Sequence, residues 1–532
     1  MDHTEHSDRP TDVDRFTFTT DGPWQVHRED LTWARGLPVL RHSVRRQVPT
    51  LTSRRRLPPL PRLAVVAGRL GAALVPWALR DRRAGGSQSV AGLSRRLRVA
   101  AERLGPTYIK LGQIISSGEG LFPSELVEEF KLCRDKVRPE PWDQVRRVVE
   151  EDLGRPIEAV FSSFDPTPIA AASIAQVHAA TLRTGEDVVV KVQRPTIRQR
   201  VEQDLRVMSW IAPLLVGRIP VAALANPPAL VELFAETITE ELDFRLEAEN
   251  MLDVAEVFAL LDQRGFVIAR PHPDLVTRRV LTMERLRGFE FDDLDALQSA
   301  GIDTEAVIRT GMAGFTEGCI VHGIFHGDLH GGNLFVLDDG RIALLDFGIT
   351  ARMTELERSA FLRLMLCGAT GDIPGQIAAF RDLGALPADT DVDDVIRSLG
   401  LDQAPVDPTS LDQEQLVGEI QRITKELLGM GARLPKILML YVKNLVFLDG
   451  AIARLAPDLD LVGEISNLSV RLVTVHGARF AADLGIQVDG FTVDTSAIKA
   501  GLGVVDDDSD TLTYRELQAR RDMIRRRLES RR

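Results

Sequence analysis

Ten residues, HGDLHGGNLF from His326 to Phe335, gather two histidines, an aspartate, an asparagine and three glycines. Beyond them Asp346 stands in LLDFG, and far upstream Lys191 interrupts the β-branched run VVVKV at Val188–Val192. A lysine in such a run is costly unless it is paired or holds an anion; the alternative is an edge position from which its stem reaches solvent. Three chemistries compete for the ten-residue window. His326 and His330, at i and i+4, could bind zinc on a helix, but Gly327, Gly331 and Gly332 make a continuous helix unfavourable. A plain glycine-rich turn explains the window alone. Phosphoryl transfer explains all three places together. Lys191 would offset phosphate charge, Asp346 and Asn333 would offer hard oxygen ligands to magnesium, and Asp328 would accept or orient the proton of an attacking hydroxyl. His326 would then pack and hydrogen-bond within the loop, and His330 could touch phosphate or substrate.

These residues need elements to hold them. VVVKV, preceded by the turn RTGED, reads as a buried strand; Arg278–Leu286 reads as a second and Ile342–Gly348, after the turn DDGR, as a third. Ser89–Ser117 has helical apolar spacing. PSELVEEFKLCRD and PWDQVRRVVEEDLG carry helix-start signals, the second stopped by Gly154. Long helices fill Val201–Leu261 and Thr304–Gly323, and the chain after Gly348 is mainly helical. ETITEELDFRLEAEN reads as one acid-rich helix in which Glu240, Asp243 and Glu247 share a face; a solvated face is the plain explanation for those acids.

Composition narrows the class. The 532 residues are 44% hydrophobic and 27% charged, ordinary for a folded soluble protein. Cys133, Cys319 and Cys367 are too scattered for a disulfide framework or a structural zinc site, so a reducing cytoplasmic setting is expected. The net charge of -12 argues against nucleic-acid binding. The charge is uneven, however: Leu31–Ala100 holds fifteen arginines and one acid, Asp81. Residues 1–30 read as a disordered leader, without the apolar core of a secretory signal. Leu63–Leu79, interrupted by Arg69, is short for a membrane span. It reads either as a helix packed on the main domain or as one docked on an anionic membrane surface.

The order strand lysine, helix glutamate, His-x-Asp-(x)4-Asn loop and Asp-Phe-Gly is that of protein kinases. More narrowly, the chain resembles the AarF/UbiB/ADCK family of atypical protein-kinase-like proteins. KLGQ at Lys110–Gln113 matches that family's KxGQ motif, AAASIAQVH at Ala170–His178 its alanine-rich loop, VVVKVQRP its lysine strand and ELD at Glu241–Asp243 its ExD motif. ARLPKILMLYVKNLVFLDG resembles its later helix. The likeness spans about Leu93 to Asp460. It implies an α+β, bilobal protein-kinase-like fold: a small N-lobe sheet with inserted helices, a mainly helical C-lobe and an N-terminal helical extension. It implies ATP or ADP with Mg2+, metal ligands Asn333 and Asp346, and catalytic residues Asp328, Lys191 and Asn333. Nucleotide-site residues are then Ala170, Ala171, Ala172, Ser173, Lys191, Glu247, Glu284 and Leu286, with Lys110, Gln113, Glu241 and Asp243 from the extension and its docking acids. The family acts in lipid-quinone synthesis or handling at membranes, more readily as an ATPase than as a protein kinase.

The expected division is a leader 1–30, a basic membrane-associating region 31–92, a KxGQ extension 93–157, an N-lobe 158–288, a C-lobe 289–465 and a helical tail 466–532. Expected partners are a nucleotide, an anionic membrane surface and a quinone-like lipid. The expected location is cytoplasmic, at the inner face of a membrane. Two departures stand out. The family loop often reads HADPHPGN, where this chain has HGDLHGGN, and SSGEGLFP carries Gly118 and Gly120 where relatives have Arg and Asp. The loop is closer to that of aminoglycoside and choline kinases, so a small-molecule phosphotransferase is the alternative enzyme and a nucleotide-binding pseudokinase regulator the alternative non-enzyme. The basic amphipathic end RELQARRDMIRRRLESRR could lie on a membrane or remain a solvated helix.

Overall fold

The computed structural model describes residues 12–53, 57–79, 86–116, 122–133, 137–215, 227–402, 422–423, 426–427, 429–433, 435–484 and 512–530. Gly118 and Gly120 lie outside the described residues. The chain forms two compact units: residues 1–288 with 333–335 and 343–350, and residues 289–332 with 336–342 and 351–532.

The first unit is built on an antiparallel sheet. Its strands run in the order Phe161–Phe164, Ala175–Leu182, Asp187–Gln193, Val280–Glu284 and Pro271–Val276. Alternation in the lysine strand decides what each face does. Val188, Val190 and Val192 point into a core shared with Val145, Val148 and Val149 of the helix Trp142–Leu153. Lys191 points to the other face and is still buried, at 5% exposure. Its neighbours across the ladder are Val177 and Leu281.

The acid-rich segment is not one helix. Pro227–Glu241 ends, and Asp243 caps a second helix, Phe244–Leu260, by accepting from the backbone N–H of Arg245. An aspartate at that position satisfies a donor that the first turn leaves open, so the break is written into the ELD motif itself.

Residues 12–30, expected to be disordered, are ordered. Phe16, Phe18 and Val26 are buried. Thr17 donates its N–H to Ala255 O and accepts from Ile268 N, both at 3.0 Å. Arg270 donates to Trp24 O (2.8 Å) and stands over the Phe18 ring. The alternation Phe-Thr-Phe carries this docking; it is too short to stand out beside so many polar neighbours.

The helix Leu60–Leu79 has mean hydropathy 1.4, and 17% of its apolar window is buried. By length and composition it could cross a membrane. Val66, Ala73 and Trp77 face the protein, whereas Leu60, Val65, Val75 and Leu79 are exposed.

The second unit is mainly helical. Its long helices are Thr304–Glu317, Glu355–Thr370, Lys436–Leu455 and Leu461–Leu484. The last crosses the expected start of a separate tail at residue 466 and belongs to this unit instead. Arg471 pairs with the fully buried Glu317 (2.8 Å) and Asp483 with Arg358 (2.7 Å). The basic end forms a helix, Tyr514–Ser530, that buries Tyr514 and Leu517 and pairs Arg521 with Asp449 (3.0 Å). It is neither wholly solvated nor free.

Candidate active site

In the first unit Lys191 Nζ lies 2.6 Å from Glu247 Oε1 and 3.0 Å from Asp346 Oδ1. The strand delivers the lysine, the helix Phe244–Leu260 the glutamate and the DFG turn the aspartate. Lys191 and Glu247 are nearly sealed, while the Asp346 side chain is 43% exposed. Burial alone pushes the lysine's pKa down, but Asp346 and Glu247 outweigh it and hold the amine above its ordinary value. Burial pushes the Glu247 carboxyl up to about 7, with Lys191 pulling against it. The edge reading of Lys191 fails: it sits in mid-sheet beside two carboxylates.

Asp346 holds a left-handed backbone (φ 53°) that a residue with a Cβ rarely adopts. Gly348 N donates to Asp346 Oδ1 (3.1 Å), and Asn250 of the glutamate helix donates to Phe347 O (2.8 Å). The turn is thereby fixed to the helix that carries Glu247. Leu345 N donates to Asn333 O (2.9 Å), which sets Asn333, itself buried, beside the DFG turn. Among the described residues no group of three His, Cys, Asp or Glu side chains could hold a metal ion. One carboxylate and one carboxamide are instead the sparse hard-oxygen set that suits magnesium, which fills its remaining positions with water and phosphate oxygens.

Glu240 and Glu247, read as part of a solvated face, and the neighbouring Glu241 and Glu249 each have a basic partner from another element. Glu240 meets Arg45 (3.1 Å), Glu241 meets Lys110 (3.1 Å), Glu247 meets Lys191 and Glu249 meets Arg41 (2.5 Å). Lys110 and Gln113 share the helix Pro106–Ser116, and Lys110 reaches the ExD glutamate as expected. The glycine of the KxGQ motif has a packing reason: a Cβ on Gly112 would lie 2.5 Å from the Phe130 ring. Asp243 instead caps its helix and grips Arg245 (2.9 and 2.8 Å).

The alanine-rich loop is a closed turn. Ala170 and Ala171 pair with Val177 and Gln176, and Ala172 N donates to Ala175 O (2.9 Å). Arg194 locks it, donating to Ala172 O from two nitrogens (3.1 and 3.0 Å) and pairing with Glu140 (2.7 Å). Ser173 is buried. Arg194 follows the lysine strand in VVVKVQRP, but nothing in that motif tells that it anchors the loop. Glu284 carries its carboxylate to the N-terminal segment, accepting from Thr19 (2.6 Å), and Leu286 follows half-buried. Burial raises the pKa of Glu284.

In the second unit Asp328 Oδ1 accepts a close ion pair from Lys443. The next residue on the helix Lys436–Leu455, Asn444, accepts from Leu329 N (3.2 Å) and donates to His326 O. Two consecutive residues of one helix thus fix the loop on both sides of Asp328, and sequence reading had missed both. His326 Nδ1 accepts from Asp328 N (3.1 Å) and His330 Nδ1 from Gly332 N (3.2 Å). The histidines shape the loop, and the zinc reading lapses. The unexpected glycine also finds a reason. A Cβ on Gly331 would meet the Asp292 carboxylate at 1.9 Å, and Arg454 holds that carboxylate. Asp292 fills the space that a side chain at position 331 would need.

A bilobal, kinase-like set of groups is thus present, and comparison with known proteins agrees. The family model of the ABC1 atypical kinase-like domain matches residues 132–376. An uncharacterised protein of Mycobacterium tuberculosis is 35% identical over 383 residues, covering 70% of this chain and 78% of that protein. An uncharacterised chloroplastic aarF domain-containing protein kinase of Arabidopsis thaliana is 34% identical, covering 69% and 72%. A probable protein kinase UbiB of Marinobacter nauticus is 32% identical, covering 69% and 67%. The fold and site define an atypical kinase-like protein. The chain belongs to the ABC1/AarF/UbiB family.

Proposed function

We propose that the chain is a magnesium-dependent, ATP-binding atypical kinase or ATPase of the UbiB type that supports lipid-quinone synthesis or handling at a membrane. The observation that carries this reading is Lys191, buried mid-sheet and held between Glu247 and Asp346. A lysine so placed suits polyphosphate, and Glu247 keeps it aimed. Asp346 and Asn333 would hold magnesium, which supplies charge neutralisation on the phosphates. The turn Ala170–Ser173 and the strand end at Glu284–Leu286 would border the nucleotide. Asp328, fixed by Lys443, would take or orient the proton as an attacking oxygen bonds to the γ-phosphorus and the bond to the bridging oxygen breaks. The UbiB name of the Marinobacter relative and the exposed apolar side of the helix Leu60–Leu79 favour the lipid part.

The test is a thermal shift with ATP. At ATP about 100 times its Kd, binding should stabilise the protein by ~2.7 kcal/mol, only with magnesium present, and Asp346→Asn should remove the shift. Asp328→Asn should keep the shift and lower ATP turnover by about 10²–10⁴-fold. Turnover untouched by Asp328→Asn would remove that residue from the chemistry.

A further inference from the structure

The Asp346 side chain is partly exposed and its backbone is left-handed (φ 53°). A residue in that conformation keeps it only where its surroundings hold it there. Part of the hold comes through the next residue, because Phe347 O accepts from Asn250 Nδ2 at 2.8 Å. Asn250 is buried on the helix Phe244–Leu260, a turn beyond Glu247. A carboxamide has one accepting and one donating end, and turning it over exchanges them. With the ends exchanged, two oxygens would face each other and the grip on the turn would become a repulsion. The orientation of one amide therefore bears on the geometry of Asp346.

Arg41 sets that orientation. Its Nη2 donates to Asn250 Oδ1 at 3.0 Å and to Glu249 Oε2 at 2.5 Å. A guanidinium can only donate, so it fixes the oxygen on its own side and leaves Nδ2 to face Phe347 O. The bond is mostly sealed from competing water, with the Arg41 side chain 13% exposed. Arg41 stands on the helix Leu37–Leu51, which is itself anchored by the buried Val44, Val48 and Leu51. Two other arginines grip the same acidic helix farther along. Arg28 pairs with Asp253 and with Glu256 (3.1 Å), and Arg15 with Glu256 (3.5 Å). Those pairs steady the helix, whereas the Arg41 bond also reaches the turn.

We propose that Arg41 is a positioning residue for the magnesium site. Acting through Asn250, it holds the DFG turn, and with it Asp346, in the conformation that presents the carboxylate. The proposal rests on the reading of Asp346 as a magnesium ligand, and it makes the helix Leu37–Leu51 part of the scaffold of the site.

Hydrogen exchange of the full chain without nucleotide, read by mass spectrometry, tests the link apart from any chemistry. Arg41→Met should speed exchange in peptides covering residues 344–350 by about five- to tenfold, the equivalent of one lost hydrogen bond. Arg28→Met removes another grip on the same helix and should leave those peptides at the wild-type rate. The second readout is the magnesium concentration that half-saturates the ATP-dependent thermal shift. Arg41→Met should raise it by about five- to tenfold. Arg28→Met should not move it, even where it lowers the melting temperature as much. Asn250→Leu should reproduce both changes, and the double variant should go no further than Asn250→Leu alone, because the two residues act in series. Unchanged exchange over residues 344–350 in Arg41→Met, or a magnesium shift shared by Arg28→Met, overturns the proposal. If wild type gives no magnesium-dependent shift, the nucleotide reading fails, and exchange alone decides whether Arg41 holds the turn.

Discussion

Each unit holds one lysine–aspartate pair central to the proposed chemistry, and the two pairs are built differently. Lys191 is sealed: a sheet and a helix enclose it, two carboxylates share it, and only Asp346 reaches solvent. The Lys443–Asp328 pair is less deeply buried, with both side chains about 15% exposed (15% and 16%). A buried charge cluster is costly to break because the survivor is left uncompensated. A partly exposed pair is screened by water and worth far less to folding. The first pair therefore serves fold and site at once, whereas the second is tied mainly to the position of a reactive carboxylate. The same inequality appears in how each is supported. Glu247 sits on a helix that Arg28 and Arg41 clamp from the N-terminal segment, while the loop around Asp328 is held by the neighbours Lys443 and Asn444 of one helix.

The largest effect should come from breaking the sealed pair. Lys191→Met leaves Glu247 and Asp346 facing each other without a cation. It should cost about 3–5 kcal/mol in urea unfolding, and Glu247→Gln in the same background should recover a substantial part. A Lys191→Met protein as stable as wild type would show the cluster to be unimportant for the fold. A smaller and more selective effect is expected from Lys443→Met. Stability should fall by about 1 kcal/mol or less, the magnesium-dependent shift with ATP should persist, and turnover should drop at least about tenfold. If Lys443→Met lowers nucleotide binding and turnover equally, the functional contrast between the pairs is lost.

The contrast also explains what could be read from the sequence. Lys191, Asn333 and Asp346 announce themselves because a charged residue in an apolar strand or a fixed loop spacing is improbable without a task, whereas Glu247, which its own segment explains as a solvated face, is singled out only by the family resemblance. Lys110 and Gln113 were legible as a motif, and the structure adds the reason for the glycine between them. Lys443 and Arg194 were not legible. Each lies in a stretch whose local pattern is satisfied by an ordinary helix or strand end, and their partners Asp328 and Ala172 are 115 and 22 residues away. The ordered N-terminal segment escaped for a related reason. Its docking residues are a few apolar side chains and arginines whose acids stand more than 200 residues on, as with Arg41 and Glu249. The break between Glu241 and Phe244 was readable in principle from the Asp243 cap, but helical periodicity on both sides masked it.

The two units should also answer acid in opposite senses. In the first, Glu247 takes up a proton more readily folded than unfolded, because burial pushes it up to about 7. Its contribution to stability is full below the unfolded value and is lost as pH rises through 7. In the second, His322 is pushed down to about 4 by burial and by Arg479, His476 and Arg358. A histidine so depressed contributes stability above about 6.5 that is lost as pH falls towards 4. Moving from pH 7.5 to pH 5 therefore costs the second unit about 1 kcal/mol through His322 once solvent screening is allowed for, while Glu247 protonation relieves the first. His322→Gln removes only the second of these. Its melting temperature relative to wild type should rise by a few degrees at pH 5 compared with pH 7.5. A gap between variant and wild type that is the same at both pH values would mean that His322 is as easily protonated in the fold as outside it, and that acid does not distinguish the two regions.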